Sequence, residues 1–268
     1  MPGGGGPASV IGVMDAPGEL RTWVDGVEVH SGADGLGTFV HVPDVAPALV
    51  FRITGEGRSD LMVVGPRSRG SYHPSKPLPV CIRLRVRPGR SRALFGLPIN
   101  ELADRVVPLA DLWGAPGRRL AEELATAPPG RRSTRIAAAL RERAAVAPAA
   151  VALEPALRAL SAGASTSAAA DRLGISERHL RNVFARDVGL SPKQFARIAR
   201  LRRVLDLAGD RAWARVAGDT GYFDQAHMIT DFRALMGVSP GAFAAGRLPP
   251  PSPCMGLTRA RSLGRATA

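Results

Sequence analysis

The amino-acid sequence predicts an α+β protein in two parts: an N-terminal, mostly antiparallel β domain with a helical appendage, and a C-terminal all-α domain of two similar units joined by a linker helix. Three observations lead there. Short β-prone stretches punctuated by Gly, Pro and Asp occupy residues 20–92. Helical patterns replace them from Ala93 onward. In the last third, a set of residues recurs at a constant offset of 48. The length of 268 residues suits two domains better than one, and 45% hydrophobic against 22% charged residues is the balance of a folded chain.

Residues 1–18 are rich in Gly and Pro and read as a loose tail. The apolar run Val10-Ile11-Gly12-Val13-Met14 within it is too short for a signal-peptide core or a membrane span, so a cytoplasmic protein is expected. Residues 19–150 form the first domain. Its sheet spans 20–92, with strands expected at Thr38–Val42, Ala48–Ile53, Leu61–Val64 and Cys81–Val86. Its helical part spans 93–150, with Arg135–Val146 the clearest helix and breaks expected at Pro128-Pro129-Gly130 and Pro148. Residues 153–247 are helical throughout. Residues 248–268 turn Pro-rich and then basic without apolar periodicity, and read as a disordered tail.

A net charge of +13 points to a polyanionic partner. Its distribution does not locate the partner's site, because residues 153–247 and residues 1–152 each carry +5. Cys81 and Cys254, far apart and outside any CxxC or Cys/His cluster, argue against a disulfide framework and a zinc site.

The repeat is the most informative feature. His179, Leu180, Phe184, Gly189, Ser191, Pro192 and Phe195 recur as His227, Met228, Phe232, Gly237, Ser239, Pro240 and Phe243. Upstream the offset is 47, pairing Ala170 with Ala217 and Gly174 with Gly221, so one residue is inserted between the turn and the second helix of the later unit. In the first unit Ser165 is placed to cap a short helix ending near Leu173, Gly174 to supply a left-handed turn, and Ser176 to cap the next helix. On that helix Leu180, Val183 and Phe184 share an apolar face, which leaves Arg178, Arg181, Asn182 and Arg186 outward. Guanidinium and amide groups on an exposed helix face match guanine and adenine edges in a major groove.

The second unit follows the same plan. Trp213 and Val216 form the inner side of its first helix, Gly221 the turn and Asp224 the cap. Met228, Phe232 and Met236 face inward, and Gln225, Ala226, Ile229, Thr230 and Arg233 outward. Gln225 is suited to an adenine and Ile229 to a thymine methyl. Between the units, Ser191-Pro192-Lys193-Gln194 has the form of a capping box. It opens a linker helix with an expected buried stripe of Phe195, Ile198, Leu201, Leu205 and Ala208, and with Arg197, Arg200, Arg202 and Arg203 as candidate phosphate contacts.

In Ala170-Asp171-Arg172-Leu173-Gly174-Ile175-Ser176-Glu177-Arg178-His179-Leu180-Arg181, in Gly221-Tyr222-Phe223-Asp224-Gln225-Ala226-His227, and in the closing Phe232-Arg233 and Gly237-Val238-Ser239-Pro240, the sequence resembles the AraC/XylS family of transcriptional regulators over residues 153–247. The resemblance implies promoter binding, with Arg178, Arg181 and Asn182 of the first recognition helix and Gln225, His227 and Thr230 of the second turned toward DNA. Arg186, Arg197, Arg200, Arg203 and Arg233 are then the candidates for phosphate. The chain departs from the family pattern at Ile229-Thr230, where a small polar residue followed by Arg or Lys is usual.

Stretches such as Leu94-Phe95-Gly96-Leu97-Pro98, Val106-Val107-Pro108-Leu109 and Leu112-Trp113-Gly114 resemble the sensor-side domain of a subset of these regulators. That implies a cupin-like sheet that senses an effector or mediates dimerisation. The implied partners are double-stranded promoter DNA, a small-molecule effector, a second copy of the chain as a homodimer, and RNA polymerase. No cofactor, metal, membrane or catalytic activity is expected.

The competing readings are weaker on their residues. His30, His41 and His73 lack the clustered spacing of metal ligands. Cys81 beside Arg83 has no accompanying His, Asn or Glu constellation for nucleophilic catalysis. The run from 52 to 92, with ten Lys/Arg and two Asp/Glu, reads as solvated strand faces.

Overall fold

The computed structural model describes residues 10–14, 20–32, 37–76, 78–147, 152–209 and 211–252. The N-terminal domain is built on a six-stranded sheet in the order β1-β2-β7-β4-β5-β8, antiparallel throughout: β1 (Val10–Met14), β2 (Val24–Gly32), β4 (Ala48–Ile53), β5 (Ser59–Val64), β7 (Leu78–Val86) and β8 (Val106–Pro108). A separate two-stranded ribbon pairs β3 (Thr38–His41) with β6 (Ser71–Pro74). Strand alternation sorts the two faces of the sheet. Leu49 and Phe51 of β4, Leu61 and Val63 of β5, and Ile82, Leu84 and Val86 of β7 turn one way into the main core. Their neighbours Ala48, Val50, Met62 and Cys81 turn the other way, along with Arg83 and Arg85.

Helices cover the first face. These are α1 (Ser91–Phe95), α2 (Leu109–Trp113), α3 (Ala115–Thr126) and α4 (Pro129–Ala145), whose Leu94, Phe95, Leu109, Leu120, Leu124, Ile136 and Leu140 complete the core. This is the α+β arrangement expected.

The tail of residues 1–18 contains β1, which forms an edge strand because β2 offers it a backbone ladder. β2 itself escapes a sequence reading because bulges at Val24/Gly26 and His30/Gly32 break its alternation and bring Asp25-Gly26 into a strand. The break expected at Pro128-Pro129-Gly130 falls between α3 and α4, with Pro129 beginning α4, since the first helical turn has no use for a proline N–H.

The C-terminal domain comprises α5 (Glu154–Ser161), α6 (Thr166–Asp171), α7 (Glu177–Val183) with a π-helical turn over Phe184–Val188, α8 (Pro192–Leu207), α9 (Trp213–Asp219), α10 (Gln225–Met236) and α11 (Pro240–Ala244). Each unit has its own core, one around Leu180, Val183, Phe184 and Phe195, the other around Ile198, Leu201, Met228 and Phe232. On α8 the fully buried stripe runs Phe195, Ile198, Leu201, Val204; of the other residues expected in it, Leu205 is only partly buried and Ala208 is half-buried at the end of the helix.

The two domains are joined by contacts at both units. Ile99, in a 3-10 turn over Ile99–Glu101, backs onto Gly189, where an added Cβ would stand 2.7 Å from Ile99 Cγ2. Arg90 pairs with Glu154 at 2.9 Å, and Arg92 reaches Asp187 at 3.6 Å. On the other unit, Tyr72 of the ribbon belongs to the second core, with Val40, Val42 and Val45 packed beside it. Tyr72 Oη donates to the Met236 carbonyl at 2.6 Å, and Gly70 N donates to the Leu235 carbonyl at 2.8 Å.

The tail expected from residue 248 is in place as far as Ser252, whose amide donates to the Tyr72 carbonyl at 2.9 Å; residues 253–268 lie outside the described ones. Among the described residues, no helix is long and apolar enough to cross a membrane.

Candidate nucleic-acid interface

Both units position their second helix by the same local chemistry. Ser165 Oγ accepts from the Ala168 amide to start α6, Gly174 turns the chain at φ 65°, and Ser176 Oγ accepts from the His179 amide at 3.2 Å to start α7. In the second unit Gly221 turns at φ 79°, and Asp224 Oδ1 accepts from the His227 amide at 2.7 Å to start α10. Gly189 at φ 85° and Gly237 at φ 74° close the two helical segments. The apolar faces sink into the two cores, so the opposite faces are presented to solvent.

On α7, Arg178, Arg181 and Asn182 are exposed, as is His179. Arg178 and Asn182 have no partner among the described residues, whereas Arg181 pairs with Glu177 at 2.7 Å, one turn back. An exposed pair of this kind is worth at most about 0.5 kcal/mol, so it leaves the guanidinium available to a better acceptor. Arg186, at the end of the segment, forks onto Asp187 at 2.8 Å.

On α10, Gln225, His227, Thr230 and Arg233 are exposed. Thr230 Oγ1 donates back to the Ala226 carbonyl at 2.9 Å. The His227 ring stands edge-on to Tyr222 at 5.3 Å, and Ile229 is half-buried against the second core. The first helix is thus the more cationic of the two.

The arginines of α8 are directed mainly inward. Arg197 pairs with the buried Asp231 at 2.6 Å; Arg200 lies 4.9 Å over the Tyr222 ring; Arg203 donates to the Ser161 carbonyl in the first unit and the Thr220 carbonyl in the second. Arg202 leaves the domain altogether, reaching Asp44 at 3.3 Å and the Pro43 carbonyl at 3.2 Å. Tyr222 Oη also donates to Asp231, and burial together with that carboxylate pushes the phenol pKa upward. Burial and this internal hydrogen bonding hold α8 as a fixed strut between α7 and α10. Sequence spacing gave no hint of this use, because an arginine outside the apolar stripe looks the same whether its partner is a phosphate or a carbonyl.

The sequence reading also missed a charge cluster at the domain seam. Asp44, 1% exposed, lies in the loop after β3. Its carboxylate accepts from Arg85 at 2.9 Å, Arg83 at 3.0 Å and the Ala46 amide at 3.1 Å, and pairs with Arg202. Burial alone would raise its pKa, but Arg85, Arg202, Arg83 and the Ala46 hydrogen bond outweigh it and hold the carboxyl below its ordinary range.

Of the histidines in the sheet domain, His41 and His73 stand 5.4 Å apart edge-on, and burial followed by the nearby cations lowers the His41 pKa to about 3. The side chain of His30 lies outside the described ones. Burial raises the Cys81 thiol, so it is held as a neutral thiol. Among the described residues, no three or more His, Cys, Asp or Glu side chains gather as metal ligands.

A family model described as "Helix-turn-helix domain" matches residues 169–246. No curated protein matches the chain in sequence. Similar solved structures include the C-terminal domain of AraT, a response regulator from Geobacillus stearothermophilus, at 20% identity and a TM-score of 0.33, covering 37% of this chain and 87% of that one. The DNA-binding domain of AdpA, solved in complex with a target DNA, is 27% identical with a TM-score of 0.31, covering 34% and 83%. ToxT from Vibrio cholerae spans more of the molecule, 82% of this chain and 96% of its own, at 11% identity and a TM-score of 0.40.

Proposed function

We propose that this chain, whose residues 169–246 match a helix-turn-helix domain, is a sequence-specific transcriptional regulator of the AraC type that reads two successive major grooves with α7 and α10. The observation that carries the reading is the repetition of one reading head on a common strut. Two capped helices present polar faces, and α8 ties them together through Arg203, which bonds to both units. Such a connection lets one polypeptide follow one face of the duplex over about 34–36 Å, the rise of one helical turn.

In this reading Arg178, Arg181 and Asn182 address bases in one groove, and Gln225, His227, Ile229 and Thr230 in the next. Arg186 and Arg233 lie at the flanks, toward phosphate. The N-terminal domain modulates the reading, through an effector or through self-association. The support is its grip on the far ends of both recognition segments: Ile99 against Gly189, and Tyr72 and Gly70 on the last carbonyls of α10. A change in that grip alters how freely the two heads can enter DNA together. The protein would work in the cytoplasm on promoter DNA and communicate with RNA polymerase.

Selection of bound duplexes from a random pool, followed by gel shift of the enriched site, tests the proposal. Two short conserved blocks one helical turn apart are expected. Binding without sequence enrichment would sink it. Repeating the gel shift with residues 150–247 alone tests the modulation; equal affinity and equal oligomeric state for fragment and full chain would remove the regulatory role of the N-terminal domain.

A further inference from the structure

The two helix-turn-helix units differ by a single residue, and the structure locates it. Ile175 of the first unit and Tyr222 of the second follow the turn glycine, and both pack against their cores. The caps, Ser176 and Asp224, are also equivalent in making the same bond to the third residue of the helix. The insertion is therefore Phe223, lodged between Tyr222 and Asp224. Its ring is 94% exposed.

That exposure is unusual on local grounds. A hydrophobic residue just before a helix cap ordinarily folds down on the fourth helical residue, here Met228. Met228 is fully buried within the core, and Tyr222 already occupies the space next to it, so the inserted ring is turned out. Among the described residues, the other large hydrophobic side chain that is exposed is Val146, in the other domain at the end of α4. Among the described residues, no second exposed large hydrophobic side chain of the same domain accompanies Phe223, as an apolar protein-docking patch would require. Its immediate neighbours on the helix, Gln225, Ala226 and His227, are exposed and lie on the end of α10 that enters a groove first.

We propose that Phe223 is a specificity-determining residue, its ring meeting a thymine C5-methyl group at the edge of the site read by α10. This rests on the DNA-reading function proposed above. Phenylalanine is one of the side chains that recognise thymine by apolar contact with that methyl. A phosphate contact is disfavoured at this point, since the ring carries no charge and Asp224 beside it is anionic. The insertion so gives the second unit, poorer in arginine than the first, a contact that the first does not have.

The test uses the full-length chain and a duplex it has enriched from a random pool. Each thymine in the second conserved block is replaced in turn by deoxyuridine, which lacks only the methyl group. One replacement should weaken the wild-type protein about fourfold, the factor given by exposing one buried methyl group. Phe223→Ala should bind the thymine and deoxyuridine duplexes alike, with Phe223→Leu in between. Unchanged thermal unfolding of the variants is expected from the exposure of the ring. A deoxyuridine penalty that survives in Phe223→Ala, or a Phe223→Ala defect confined to transcription with DNA binding intact, overturns the assignment and leaves the parent reading standing. Failure of the wild-type chain to enrich any sequence overturns both.

Discussion

Replacing Asp44 with Asn removes the one carboxylate that faces Arg83, Arg85 and Arg202 at the domain seam while preserving its shape. The three guanidinium groups would remain close together, with Glu28 on Arg83 at 3.3 Å the nearest compensation. Breaking a buried ion pair by removing one partner costs about 3–5 kcal/mol. The arginine side chains here are 22%, 24% and 32% exposed, so water screens part of the repulsion and the lower end, about 3 kcal/mol, is the expectation. Two of the three arginines belong to the same domain as Asp44, and the third reaches from α8. A double-mutant cycle of Asp44→Asn with Arg202→Met therefore isolates the inter-domain share, for which about 1 kcal/mol is expected. Urea unfolding supplies the free energies, and hydrogen exchange in α8 shows whether the loss is felt across the seam. A cost below about 1 kcal/mol for Asp44→Asn, or a cycle with no coupling, would refute the view that this cluster fastens the linker helix to the sheet domain.

Three further outcomes follow from the geometry. Gly189→Ala should cost about 1–2 kcal/mol for the left-handed backbone and about 1–3 kcal/mol for the collision with Ile99, whereas Gly174→Ala, with open space around it, bears only the first; thermal unfolding that ranks the two equally would count against the seam. The His41 imidazole takes a proton near pH 6.5 when unfolded and near about 3 when folded, so the unfolded chain binds more protons between those values. Stability is then full above pH 6.5 and falls by up to about 1.4 kcal/mol per pH unit as the pH drops through that window. Urea midpoints of wild type and His41→Gln between pH 7.5 and 5 should diverge accordingly, separately from Asp44, whose contribution is lost only below the ordinary carboxylate range, and parallel curves would contradict the burial of a neutral imidazole. In selected-site profiles, Arg181→Ala should relax one base position by about 1–3 kcal/mol of discrimination, more than Gln225→Ala does, and the reverse ranking would place the main readout in α10.

Much of the C-terminal domain was legible in the sequence because its determinants are local. Ser165, Ser176, Ser191 and Asp224 cap the residue three places on, Gly174 and Gly221 adopt the backbone angles that a sharp turn requires, and Leu180, Val183 and Phe184 follow the helical period. Each relation spans no more than four residues, so it is written in the order of the letters. β4 was legible at its observed bounds and β7 from Cys81 onward, because β-prone residues run together there between turn residues. β1 and β2 were not, since one is defined by its ladder partner and the other by bulges that only a paired neighbour reveals.

The roles of the charged side chains were decided by the tertiary structure. Nothing in the spacing of Arg197, Arg200, Arg202 and Arg203 separates a phosphate contact from a bond to Asp231, a stack on Tyr222, a link to Asp44 or a brace between two carbonyls. Likewise the repeat announced one extra residue before the second helix of the later unit, but only the packed core showed that Tyr222 fills the inner position and leaves Phe223 outside. Apolar periodicity fixes which face of an element turns inward because water acts on every residue alike. The partner of a long, flexible cation depends instead on which acceptor the completed fold brings within about 3 Å of it.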